Sequence, residues 1–148
     1  MKTLNEITVH YQNKSAKAEK ITCSQDASSV LRRIYQSSNC VMDLKEYFFI
    51  LLLNRGNKVI GYHKLSEGGM SGTVADIRLA FATALKCAAN AIILCHNHPS
   101  GTLDHSAQDR MLTDKFVEAG KLLELTVLDH VILTSEGFYS FADAGLIK

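Results

Sequence analysis

Ala91-Ile92-Ile93-Leu94-Cys95-His96-Asn97-His98-Pro99-Ser100-Gly101 is the stretch from which the rest of the chain can be read. Five apolar residues in a row, ending in a proline and a Ser-Gly pair, predict a short central strand over 91–95 that stops at a turn. A loop is expected from His96 to His105. In extended chain, residues two apart point to the same side, so His96 and His98 aim their imidazoles together and Asn97 points away and braces the loop. Sites in α/β proteins gather at the carboxyl ends of strands, which is where these residues stand.

Upstream, Asp76 is a helix cap for apolar positions Ile77, Ala80, Phe81, Ala84, Leu85 and Ala88, with Asn90 as the stop. Glu67–Thr73 (EGGMSGT) is glycine-rich but lacks the lysine of a phosphate loop, and reads as a turn. Before it, Tyr47–Leu53 is a buried strand, and Lys58–Leu65 returns as its hairpin partner across Asn54-Arg55-Gly56-Asn57. Ser24 or Asp26 caps a first helix through Val30, Leu31, Ile34 and Tyr35. Residues 1–24, with a basic stretch from Lys14 to Lys20, form an N-terminal arm or edge strand.

Downstream, a helix starts at Ser106 and is expected to bury Met111, Leu112, Phe116, Ala119 and Leu123. Thr126–Leu133 and Phe138–Phe141 follow as a hairpin around Thr134-Ser135-Glu136-Gly137. Strands and helices alternate without repeats. The expectation is one α/β domain over 25–148, a mixed β-sheet flanked by helices.

Composition sets limits on function. With 148 residues, 47% hydrophobic and 21% charged, the chain has the makings of a single buried core. A formal net charge of +1 offers no strong field for nucleic acid or acidic membranes. Neither a signal peptide nor a membrane span is visible, so a cytoplasmic location is expected. The four cysteines, Cys23, Cys40, Cys87 and Cys95, include no C-x-x-C pair, and a disulfide framework is not expected. Cys87 and Cys95 read as small buried hydrophobes, with metal ligation by Cys95 as the lesser alternative.

The chemistry lies in His96, His98 and Asp109. Two imidazoles and one carboxylate suit zinc, and three protein ligands leave the fourth tetrahedral position open, the mark of a catalytic site. Ser106 and Asp109 also have the spacing of a helix capping box, and that role is compatible with ligation. His130 beside Asp129 is either a supporting pair for the site or a satisfied core histidine. His10 and His63 stand outside any motif.

The spacing H-x-H-x10-D, with Ser106 three before Asp109, resembles the JAMM (MPN+, JAB) metalloprotease motif. Within that superfamily the chain is similar to the RadC-like group, through H-N-H-P-S-G, Ser71-Gly72-Thr73, the Ala84-Leu85 helix, Leu128-Asp129-His130 and Tyr139-Ser140-Phe141-Ala142-Asp143. The resemblance implies a JAB/MPN-like, cytidine-deaminase-like fold and one Zn2+ per chain. It implies Glu46 as general base, with Glu67 as its rival, and Ser106 as hydrogen-bond donor to a developing oxyanion. The substrate class is then an amide, peptide or isopeptide. His105 stands where members of the group often carry proline.

Longer RadC proteins add an N-terminal DNA-binding region for which these 148 residues have no room. The competing reading is a DNA-associated accessory protein without protease activity, and a scaffold that has lost its metal is disfavoured by the presence of all three ligand residues. A membrane partner is not expected, and oligomeric state is not legible. The near-balanced charge predicts no tight duplex DNA binding at physiological salt. Fluorescence anisotropy with labelled duplex tests this, and sub-micromolar affinity with a steep salt dependence would refute it.

Overall fold

A computed structural model describes residues 3–13, 17–69 and 74–148. In chain order these form α1 (Ser24–Ser37), β1 (Tyr47–Leu53), β2 (Val59–Glu67), α2 (Ile77–Lys86), β3 (Ala91–Asn97), α3 (Ala107–Leu122), β4 (Thr126–Leu133) and β5 (Phe138–Ser140). The strands make one sheet in the order β2-β1-β3-β4-β5. β3 and β4 run parallel, and the remaining neighbours are antiparallel. The mixed α/β sheet expected from the alternation of elements is the one observed.

Every residue of β1 and of β3 is buried, because helices cover both faces of the sheet. Alternation divides their side chains between two cores. Phe49, Leu51, Leu53, Ile93 and Cys95 pack with Leu31 and Ile34 of α1. Phe48, Ile50, Leu52, Ile92 and Leu94 pack with Phe81 of α2 and Phe116 of α3. A strand buried on both sides reads as an unbroken apolar run, which is why these two were legible.

Several details differ from the sequence reading. β3 does not stop at Cys95 but continues through His96 and Asn97, whose pairing with Ile132 and Leu133 of β4 carries the strand into the polar residues. Helix α1 has Cys23 at its N-cap and no side-chain cap; Asp26 instead accepts from the Thr22 N–H and hydroxyl just outside the helix. Asp76 does cap α2, accepting from Leu79 N. Leu85, Met111 and Leu123, expected inside, are exposed. The inward stripe of α3 is Thr113, Phe116 and Gly120, offset from the predicted one by polar and small residues that an apolar count passes over. Among the described residues of the arm, 3–13 carry no regular structure, and Lys20 makes an isolated bridge to Lys58 of the β1–β2 connection. Ser71-Gly72-Thr73 lies outside the described residues, as do parts of the basic stretch and of the glycine-rich loop.

Gly120 is where α3 turns back into β4. A Cβ there would stand 2.3 Å from the carbonyl oxygen of Leu125, a backbone atom that cannot rotate aside. Alanine is ordinarily the better helix former by about 1 kcal/mol. Here the clash dominates, and Gly120→Ala is expected to destabilise the fold by about 1–3 kcal/mol. Urea denaturation measures this, and an unchanged or raised midpoint would refute it.

Candidate metal centre

Two ends of secondary structure build the site. At the end of β3 the alternation sends His96 toward α3, and His98, one residue beyond the strand, follows it. Their Nε2 atoms lie 3.0 Å apart. His98 N donates to Leu133 O at 3.0 Å, so the chain keeps its β-like course past the strand. Gly101, with φ of +83°, then lets the loop turn, its N–H bonded to His98 O at 3.0 Å.

The returning chain enters α3 through a capping box. Ser106 Oγ accepts from Asp109 N at 3.0 Å, and Asp109 Oδ2 accepts from Ser106 N at 2.8 Å. This pins the Asp109 carboxylate without using up its reach. Oδ1 lies 3.3 Å from His96 Nε2, and Oδ2 lies 3.4 Å from His98 Nε2. Ligating atoms of His96, His98 and Asp109 all fall within 4.8 Å of one another, a group that could hold a metal ion.

The donor chemistry fits a cation. His98 Nδ1 lies 2.9 Å from the carbonyl oxygen of Thr102, which only accepts, so Nδ1 carries a proton. Nε2 of the neutral ring is then a lone pair aimed at a carboxylate. Such a convergence needs a proton or a cation in its middle. The hydrogen bond to Asp109 raises the His98 pKa, against the opposing effect of burial. Burial would raise Asp109, but its closeness to the His96 and His98 rings, together with the Ser106 N–H, outweighs burial and holds the carboxyl well below the usual carboxylate range. Proton and metal therefore compete for one place.

Glu46 stands just before β1, which pairs Phe48 with His96. Its Oε1 lies 4.0 Å from His96 Nε2, outside the group of three. Burial raises its pKa, and the nearby imidazoles offset this only in part. Glu67, the rival carboxylate, is drawn off by Lys64 at 3.3 Å and Lys45 at 3.7 Å.

Asn97 points away from the histidines as expected, but it lies within β3 and braces the segment before β1, not the loop that follows it, and the details explain how Glu46 is held. Its side-chain oxygen accepts from Tyr47 N at 2.8 Å, and its amide nitrogen donates to Met42 O and Lys45 O, each at 2.8 Å. The residues on either side of Glu46 are thus tied to the residue between the two histidines.

Cys95 faces the α1 core, away from His96, and burial pushes its thiol far up; it is not part of the ligand group. The Asp129 carboxylate does not meet the His130 ring. It accepts from Ser140 Oγ at 2.6 Å and Ala142 N at 3.0 Å, while the ring turns to His96 and Thr113. His105 bonds Tyr139 OH at 3.1 Å. Thr113 is the residue sequence reasoning passed over. The available signal was a threonine four after Asp109 on the helical stripe that carries Phe116.

The model of the RadC-like JAB domain matches residues 21–146. The chain belongs to the RadC-like JAB domain family. Among relatives, a UPF0758 protein of Flavobacterium johnsoniae is 44% identical over 131 residues, covering 88% of this chain and 55% of that protein. A UPF0758 protein of Porphyromonas gingivalis is 46% identical over 104 residues, covering 70% and 46%. One from Symbiobacterium thermophilum is 40% identical over 102 residues, covering 69% and 44%. The chain spans about half the length of the curated relatives it matches.

Removing one imidazole leaves too few donors for tight binding. His98→Ala is expected to empty the site of a divalent transition metal, measured by elemental analysis after dialysis; full occupancy in the variant would refute the assignment. In the unsubstituted protein, the apparent affinity for the metal should start to weaken on acidification at a pH above the ordinary imidazole value of about 6.5, because the Asp109 contact raises the His98 pKa.

Proposed function

We propose that this RadC-like JAB domain is a zinc-dependent hydrolase of the JAMM type, cleaving an amide, peptide or isopeptide bond with an activated water in the cytoplasm. The observation that carries the reading is the separation of roles around His96. Three donors converge within 4.8 Å, and a fourth carboxylate, Glu46, stands close by but apart from them. A structural site would close its fourth position with a further protein ligand. Among the described residues, no helix is long and apolar enough to cross a membrane.

Zinc, when bound, supplies Lewis acidity, polarising an acyl carbonyl and acidifying water. The chain's own residues supply the rest. His96, His98 and Asp109 would hold the cation, from the end of β3, the residue just past it and the first turn of α3. Glu46, its pKa raised by burial, is suited to take a proton from the attacking water and pass it to the leaving amine. Ser106 uses an oxygen lone pair to cap α3, so its hydroxyl proton is not consumed by that bond and can be donated to a developing oxyanion. Amide chemistry needs both proton delivery to nitrogen and stabilisation of oxygen, and the site offers a residue for each.

Glu46→Gln keeps the side chain's size and removes its basicity. Zinc content should stay near wild type while hydrolysis of a peptide or isopeptide library substrate falls by about two to four orders of magnitude. Zinc lost along with activity would make Glu46 a ligand. Wild-type turnover in the variant would refute the mechanism.

A further inference from the structure

Behind His96, on the side away from Asp109, two fully buried polar side chains form a line. His96 Nδ1 lies 2.8 Å from His130 Nε2, and His130 Nδ1 lies 2.6 Å from Thr113 Oγ1. Thr113 Oγ1 lies 2.7 Å from the carbonyl oxygen of Asp109, one helical turn earlier. Thr113 and His130 are 0% exposed, so bulk solvent does not reach either group.

The direction of every bond in this line follows from its far end. A carbonyl oxygen only accepts, so the single hydroxyl proton of Thr113 goes to Asp109 O. With that proton committed, Thr113 Oγ1 accepts, and His130 Nδ1 must carry the ring's proton. The neutral His130 ring has no second proton, so its Nε2 is a lone pair. His96 Nδ1 then donates to it, and His96 Nε2 is left as a lone pair directed at Asp109 Oδ1 and His98 Nε2. The opposite polarity would press two proton-free oxygens together at 2.7 Å in a buried site, an unmade bond of the costly kind.

We propose that Thr113 and His130 are positioning residues that fix His96 in the tautomer protonated at Nδ1, so that its Nε2 is offered to the metal. This rests on the reading of His96 as a ligand. The helix that carries the carboxylate ligand thereby also sets the protonation of the imidazole ligand, through the backbone carbonyl of Asp109. No proton is transferred; the line only holds one arrangement of protons.

Two measurements test it. In the metal-free wild type at mildly alkaline pH, 15N ring spectra report which nitrogen of each histidine is protonated; His96 and His130 should both carry the proton on Nδ1. Zinc affinity, by chelator competition, should fall about 10–100-fold in Thr113→Val, which lets both rings reverse, and return near wild type in Thr113→Ser. A role confined to packing would lower the melting temperature of Thr113→Val and leave zinc affinity unchanged, and that result overturns the proposal. If Thr113→Val fails to fold, the wild-type spectrum decides alone, since a proton on Nε2 of either ring is fatal. Zinc uptake by a wild type whose metal-free His96 is protonated at Nε2 overturns the relay and spares the metal reading. Absence of zinc uptake by the wild type overturns the metal reading itself.

Discussion

The side-chain amide of Asn97 ties the segment before β1 to the end of the middle strand. It is fully buried at the end of the middle strand, with a histidine on each side of it in sequence. Its oxygen takes the Tyr47 N–H, with the Tyr35 hydroxyl, which donates to Tyr47 O at 2.8 Å, lying 3.3 Å away, and its nitrogen gives both protons to backbone carbonyls of Met42 and Lys45. A buried amide satisfied on every side fixes its surroundings, since any movement would strand a donor or an acceptor away from water. The segment before β1 is irregular and would otherwise be free to drift. Tied to Asn97, it brings Glu46 to the histidines that flank its own anchor. Register and site geometry become a single constraint.

The same logic explains what was legible in the sequence. The apolar runs of β1 and β3 were plain because both faces of the sheet are covered, and the grouping of His96, His98 and Asp109 was plain because its spacing is set by one strand end and one helix start. The end of β3 was misjudged because hydrophobicity marks burial, whereas the strand continues for as long as its neighbours supply backbone partners. His96 and Asn97 are polar and buried, the combination a hydropathy reading handles worst. Asn97 still yielded to the alternation rule, which depends on position and not on polarity.

His130 and Thr113 show where such reading ends. Of the two readings of His130, the satisfied core histidine holds, while the pairing with Asp129 fails because the fold turns consecutive side chains of β4 to opposite faces. The true partner lies 17 residues earlier, on a different element. Nothing local announces such a contact. In the same way, Gly120 reads as a defect in a helix until the Leu125 carbonyl is seen against it. Features set by local periodicity could be read; features set by the packing of one element on another could not.

The capping box at the start of α3 has one further consequence. Asp109 is oriented by the Ser106 backbone, His98 by the Thr102 carbonyl and His96 by a buried ring, so each ligand owes its pose to the polypeptide. Small metal-dependent domains gain their folding energy from the ion and collapse without it. Here backbone and buried side-chain groups of the chain itself orient His96, His98 and Asp109. A cation held by such a group would be chosen by supply and by the intrinsic preference of imidazole and carboxylate donors.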